Sequence, residues 1–199
     1  MLATFALALA LSFAQAPCPQ RIDVAVASTG ATTGQLTLLE CGKPVLGPWS
    51  AHVGYKGVSQ HHREGDGTTP LGTFRIGPVA YGLDPNPGAR LAYHRLRCGD
   101  WWDEDPVSPT YNSFQHVACG MTPPFGGNSE ALWRAKITYR ELVWLEYNTA
   151  PVVPGKGSAI FLHDSDGKAT TGCISIPRAE LLQVLRRLRP GASLTVRLA

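Results

Sequence analysis

The sequence predicts a mostly β chain with one helix near its C-terminal end, and three observations carry that expectation. Apolar residues recur with period two, or in short unbroken runs, over most of the chain. Gly- and Pro-bearing turns separate those runs. After residue 16 a helical repeat of leucines occurs once, in RAELLQVLRRL (178–188).

Taken in order, the first sixteen residues, MLATFALALALSFAQA, carry no charged side chain and end in Ala14-Gln15-Ala16, the pattern of a secretory signal. A membrane anchor is the alternative, disfavoured because about 13 apolar residues fall short of the ~20 that span a bilayer. Residues 17–199 then read as a single domain without repeat or linker. RIDVAVAS (21–28) and QLTLLEC (35–41) flank Gly30 and Gly34 as a β-hairpin that sets Arg21 about opposite Cys41. REGDGTTPLGTFRIG (63–77) places a Gly-Asp-Gly turn before a short Thr-Phe-Arg-Ile strand. ARLAYHRLR (89–97) alternates, with Leu91, Tyr93 and Arg95 on one face. ELVWLEYN (141–148) and GSAIFLH (157–163) read as strands buried on both faces. The helix puts Leu181, Leu185 and Leu188 opposite Arg178, Arg186 and Arg187, Pro190-Gly191 ends it, and SLTVRL closes the chain as a strand.

At 199 residues, 44% apolar and 17% charged, the chain can bury a core and is not disordered. Lys and Arg number 18 against 15 Asp and Glu, with no basic run, which argues against a nucleic-acid surface. The mild cationic excess is compatible with an acidic polymer such as a cell wall. Five cysteines in an exported chain leave one thiol over, in fifteen arrangements: five choices of the free thiol times three pairings. The hairpin brings Cys18 near Cys41. Cys98 and Cys119 flank a polar, Trp- and Pro-rich excursion whose closure would contribute about 3 kcal/mol. Cys173 remains.

That thiol lies in HDSDGKATTGCISIP (163–177). If GSAIFLH and CISI pair as antiparallel neighbours, His163 faces Cys173 with Cβ atoms about 4.5–5.5 Å apart. The imidazole can then take the thiol proton and return it to a leaving amine, while the thiolate attacks a carbonyl. Gly172 lets the backbone approach a substrate, and the amides of Gly172 and Cys173 can face a developing oxyanion. The alternative is a packed cysteine beside a histidine in a tight loop. His61 and His62 are expected to be solvated in a polar turn, His94 half-buried and hydrogen-bonded, and His116 at the surface. Apart from His61-His62 no ligands lie close in sequence, so neither a metal nor another cofactor is expected.

His163, then Thr170-Thr171-Gly172-Cys173-Ile174, behind the apolar Gly-Ser-Ala-Ile-Phe-Leu run, resembles the catalytic stretch of the L,D-transpeptidase (YkuD-type) family. Upstream, Glu64-Gly65-Asp66-Gly67-Thr68-Thr69-Pro70-Leu71-Gly72-Thr73-Phe74, then Trp102-Asp103-Glu104-Asp105-Pro106 with Tyr111-Asn112, then Glu146-Tyr147-Asn148, match one branch of it in order and spacing. The resemblance implies a β-sandwich-like catalytic domain, a cofactor-free monomer of the bacterial periplasm or wall, acting on peptidoglycan stem peptides. Its cysteine attacks the carbonyl of the third stem residue, expels the terminal D-alanine and holds a thioester, which an amine of a second stem resolves as a 3→3 cross-link. It implies Cys173 as nucleophile, His163 as base and Gly172 as the oxyanion-loop glycine. Thr170, Thr171, Trp102, Tyr111 and Asn112 become substrate-binding positions.

Two positions depart from the family pattern. Thr171 stands where the common motif has a second histidine, and Ser175 where many members have arginine, so exchange or L,D-carboxypeptidase-type hydrolysis stands beside cross-linking. Trp101 to Asp105 either bind the amino group of a diaminoacyl stem or form a solvated acidic loop, the second being favoured. The rival readings are a sortase-like cysteine transpeptidase and an inactive, disulfide-stabilised wall-binding module. A sortase needs an arginine strand soon after its cysteine, where this chain has Pro177 and a helix.

Overall fold

The computed structural model describes residues 18–199, so the expected signal at 1–16 lies outside the described residues. β1 (Gln20–Val26) and β2 (Thr33–Glu40) form the expected antiparallel hairpin. Arg21 pairs with Leu39, two residues from the expected partner, and Cys41 donates its amide to Pro19 O at 3.1 Å. Cys18 and Cys41 are bridged, with Cα atoms 5.1 Å apart. β3 (Lys43–His52) returns antiparallel on β2. Pro44, Gly47 and Pro48 hide this strand from a pattern reading. They are tolerated because register shifts absorb the breaks, and because β3 touches its other neighbour at one residue pair only, Ser175 with His52.

β4 (Val58–Ser59) and β5 (Thr69–Pro70) are a short parallel pair that closes the 60–68 turn. β6 (Gly72–Gly82) runs well past the expected Thr73–Ile76. Gly77-Pro78 looks like a strand breaker in sequence, but a Cβ on Gly77 would lie 2.0 Å from the Trp144 indole, so glycine there makes room for packing. β7 (Ala92–Arg95) adds in parallel to β6. β8 (Asp100–Asp103), β9 (Ser113–His116) and β10 (Glu130–Ala131) build a separate three-stranded sheet in the order β10-β8-β9. The excursion after Cys98 is thus largely a hairpin, and the Cys98–Cys119 bridge, Cα atoms 5.2 Å apart, ties its base. Two disulfides fit an extracytoplasmic location.

β11 (Glu141–Leu145), β12 (Phe161–Asp164), β13 (Ile174–Ile176), helix α1 (Arg178–Arg187) and β14 (Ser193–Leu198) complete the chain. The main sheet has the order β11-β12-β13-β3-β2-β1-β14-β6-β7, and β11 also pairs with β6, so the sheet closes on itself. The fold is mostly β, as expected. β14, expected only as a closing strand, is interior: parallel to β1 and antiparallel to β6.

Alternation on β12 explains its unbroken apolar run. Leu162 enters the core under α1 with Ile174, Leu181 and Leu185, whereas Phe161 faces a second cluster with Trp102, Tyr139 and Cys173. Both faces are buried, so no polar period appears. α1 buries Leu181, Val184 and Leu185. Its Arg178, expected to face solvent, instead forks onto fully buried Glu141 at 2.8 and 3.0 Å and reaches Asp84 at 3.0 Å.

Candidate active site

The turn before β13 holds Cys173 beneath a cleft of about 340 Å³. Thr170 and Thr69 both donate from Oγ1 to the Cys173 carbonyl, at 2.6 and 3.2 Å. Thr170 is in turn laced to the neighbouring segment, its N–H to Val53 O at 2.9 Å and its carbonyl to the Tyr55 amide at 2.7 Å. Thr170 therefore fixes backbone, while Thr171 lines the opening. Of the two amides expected to face an oxyanion, that of Gly172 already donates to Thr170 Oγ1 at 3.2 Å.

The expected strand pairing is corrected. β12 and β13 run parallel, with His163 beside Ser175 and Leu162 beside Ile174. The chain between them crosses back along Gly54, which bridges Thr170 in parallel, and so enters β13 in the same direction it left β12. Cys173 and His163 thus share a face but sit one pleat apart, about 6.6 Å along the strand, instead of directly opposed. Among the described residues no hydrogen bond joins them. The Cys173 thiol donates to Ala159 O at 3.1 Å, and Sγ receives the Phe161 amide at 3.4 Å. His163 Nδ1 lies 2.8 Å from the Asp164 carbonyl oxygen. A carbonyl only accepts, so Nδ1 carries the proton and Nε2 keeps the lone pair a base requires. The Tyr139 ring stands edge-on to both Phe161 and His163, at 5.6 Å from each, and its hydroxyl donates to Glu130.

Burial decides the resting protonation. It draws the His163 imidazole down to about 4. It pushes the Cys173 thiol well above its ordinary range, and the Glu130 and Glu104 carboxylates push the same way. Those carboxylates line the cleft together with Glu64. Glu64 receives the Tyr111 hydroxyl and Ser158 Oγ, the latter at 2.6 Å. Glu104 Oε1 is buried without a partner among the described residues. Burial first, then Glu130 and Glu64, raise Glu104 to about 10, and burial raises Glu130 to about 6. Three carboxyl groups are crowded beside one thiol with the proton held on Glu104, and a positively charged guest would favour the charged form of each. The expected solvated loop is therefore corrected too: Asp103 is fully buried and Glu104 faces the cleft.

His62 is also placed differently from expectation. It is buried and lines the cleft, with Nδ1 at 3.1 Å from Asp66 Oδ1 and 3.2 Å from Thr68 Oγ1. Burial lowers its pKa against the opposing pull of Asp66. Gly157, at φ +115°, lets the chain pass that ring, since a Cβ there would lie 2.5 Å from it. His61 is exposed. His94 and His116 both bind the buried Asp100 carboxylate, at 2.8 and 2.6 Å. Among the described residues no cluster of three His, Cys, Asp or Glu is placed to hold a metal ion.

A family model described as the L,D-transpeptidase catalytic domain, YkuD, matches residues 21–196. The chain belongs to this family. Among solved structures this L,D-transpeptidase domain is similar to the helical cell shape determining protein Pgp2 from Campylobacter jejuni, at 13% identity and a TM-score of 0.41, over 90% of this chain and 48% of that one. It is also similar to Ldtfm in its avibactam carbamoyl enzyme, at 10% identity and a TM-score of 0.38, over 91% of this chain and 49% of that one. The chain spans about half the length of those proteins. A search of curated proteins gives no match.

In this L,D-transpeptidase domain Trp102, Tyr111 and Asn112 are buried behind the cleft and do not line it. Asn112 Oδ1 receives Trp102 Nε1–H and the Ala159 amide, each at 3.1 Å, and its Nδ2 donates to Tyr147 O and Asn148 O at 2.9 and 3.0 Å. This holds Ala159 at φ 52°, a left-handed bend that aims its carbonyl at the Cys173 thiol. The three residues shape the wall from behind, through backbone. Glu64, Glu130 and Tyr55, which line the cleft, and Tyr139, buried behind Glu130, carry no mark in sequence as site residues. Glu64 alone lies within a quoted motif, and Glu130 and Tyr139 meet only through tertiary contact.

Proposed function

We propose that the protein is an exported cysteine L,D-transpeptidase that acts on peptidoglycan stem peptides through a thioester at Cys173. The observation that carries this reading is a single unbridged cysteine, 7% exposed, at the floor of the carboxylate-lined cleft and on the same sheet face as a histidine in its base-competent tautomer. The substrate carbonyl enters above Sγ. As sulfur attacks, the thiol proton leaves Ala159 O for His163 Nε2, which a rotation of the thiol and a shift of substrate into the cleft bring into reach. With the Gly172 amide engaged by Thr170, the oxyanion falls to the Cys173 amide in this reading. The imidazolium then returns the proton to the departing amine. An incoming amine or water completes the cycle, giving cross-linking, exchange or hydrolysis.

The acidic wall gives the substrate its sense. An ammonium on the stem's diamino residue, seated between Glu104 and Glu130, favours the charged form of both carboxyl groups and cancels their push on the thiol, so binding removes the electrostatic part of what holds the thiol protonated, and burial remains the larger part. The test is to incubate the mature protein with defined stem tetrapeptides and read product masses, beside a cysteine-reactive carbapenem. Wild-type protein should gain one carbapenem mass and release D-alanine; Cys173→Ala should do neither while remaining folded. An adduct on intact Cys173→Ala, or inert wild-type protein, removes this reading in favour of a wall-binding module.

A further inference from the structure

Outside the cleft, and sharing no lining residue with it, lies an open groove of about 820 Å³ of opposite charge. Arg95, Arg97, Lys136 and Arg140 line it around Trp133, with Asp84 as the one carboxylate. Asp84 is already bound by two guanidinium groups, Arg140 at 2.9 Å and Arg178 at 3.0 Å. Among the described residues Arg95, Arg97 and Lys136 have no carboxylate within ion-pair distance, and all three are exposed. Arg134 adds a further cation 5.5 Å from the Trp133 ring centroid. A fold that pairs Arg178, Arg187 and Arg197 with acidic partners leaves these cations unpaired along one channel.

The groove adjoins the cleft through one short segment. Glu130 of β10 faces the cleft, and Trp133, in the 3-10 turn that follows, faces the groove. Trp101 packs edge-on against Trp133 at 5.1 Å, and its neighbour Trp102 packs on Phe161 beside Cys173. We infer that this groove is a second binding site, which holds a carboxylate-bearing stretch of peptidoglycan strand next to the stem that reacts. The inference rests on the acyl-transfer reading for its choice of polymer. Unreacted stems present carboxylates at intervals along a glycan, guanidinium forks bind carboxylates in bidentate fashion, and an aromatic face receives the apolar side of a sugar ring. A phosphate polymer would suit the charge as well, but nothing would require it to run into the cleft.

The test uses sedimentation with insoluble peptidoglycan stripped of phosphate polymers by hydrofluoric acid, with Cys173→Ala protein to prevent turnover. Retention should be lost as salt screens the groove, and Arg97→Glu with Lys136→Glu should weaken apparent affinity about tenfold, since like charges then face the polymer. Blocking the wall carboxyl groups as methylamides should abolish retention. With Cys173 restored, the double variant should still take up carbapenem and convert a soluble tetrapeptide at the wild-type rate, yet act slowly on intact wall. Unchanged retention of the double variant overturns the site. Retention that needs unstripped wall, or survives carboxyl blocking, overturns the carboxylate assignment. Equal loss on soluble and polymeric substrate places the effect in the cleft and overturns a separate site. If wild-type protein converts no soluble stem, the acyl-transfer reading fails while sedimentation still reads the groove.

Discussion

Cys173 and His163 rest as thiol and neutral imidazole, because burial disfavours the charged form of each. His163→Gln keeps approximate size without a base, and turnover near neutral pH is expected to fall by about 10²- to 10⁴-fold. Unchanged turnover would assign the proton to another group. A protonated imidazole cannot accept, so the acid limb of kcat/KM is expected near pH 4; a limb near 6.5 would contradict the burial of this ring. Glu104 makes a stability prediction of defined sign. Its carboxyl is raised to about 10, so between about pH 4.5 and 10 the folded state binds a proton that the unfolded state has lost. Stability therefore falls as pH rises through that window. Glu104→Gln removes the dependence, and the gap in melting temperature between variant and wild type should widen from pH 5 to pH 9. Each kcal/mol moves the midpoint of a domain this size by about 2–4 °C. A gap independent of pH would mean that the carboxylate is already solvated.

At the scale of elements, α1 is fastened through its first residue as well as its leucines. Arg178 spans α1, β11 and the Asp84 turn, and its forked contact satisfies a Glu141 carboxylate with no exposure. Arg178→Ala leaves that charge unpaired and should cost about 3–5 kcal/mol, read as a lower denaturant midpoint at unchanged slope. A cost below about 1 kcal/mol would indicate that water reaches Glu141. The helix itself was legible because its leucine repeat has one solvent face. β3 and the second half of β6 were not, because Pro44, Pro48 and Gly77-Pro78 read as breakers. Whether a proline is tolerated depends on which edge of the strand lacks a partner, and a glycine on which side chain needs its space. Neither is a local property.

Over the whole molecule, the two bridges and the buried thiol predict a labelling pattern. Native, unreduced protein should alkylate slowly, at Cys173 alone, with a rate that rises steeply with pH because the thiol is held protonated. Unfolding without reductant should make that one label fast and add no other, and reduction should expose all five cysteines. A bridge that includes Cys173 would remove the catalytic reading. Five free thiols in protein taken from its own compartment would remove the argument for export while leaving the cleft intact.

The sequence by itself determined the β class, the C-terminal-region helix and both disulfides, and it singled out Cys173 and His163 as the candidate pair. Each follows from local pattern: period-two alternation, leucine spacing, cysteines set close by a hairpin or a loop, and a motif contiguous enough to resemble one family. Tertiary structure alone decided the direction of β13, and with it the single pleat between Cys173 and His163, because a parallel or antiparallel return depends on where the connecting chain finds backbone partners at Val53 to Tyr55. It also decided that Trp102, Tyr111 and Asn112 stand behind the cleft and that Glu64, Glu104 and Glu130 stand within it. Those carboxylates come from three distant segments, and isolated acidic residues in turns read as solvated. Only packing against Tyr111, Tyr139 and the β10-β8-β9 sheet half-buries them and gathers three carboxyl groups beside one thiol.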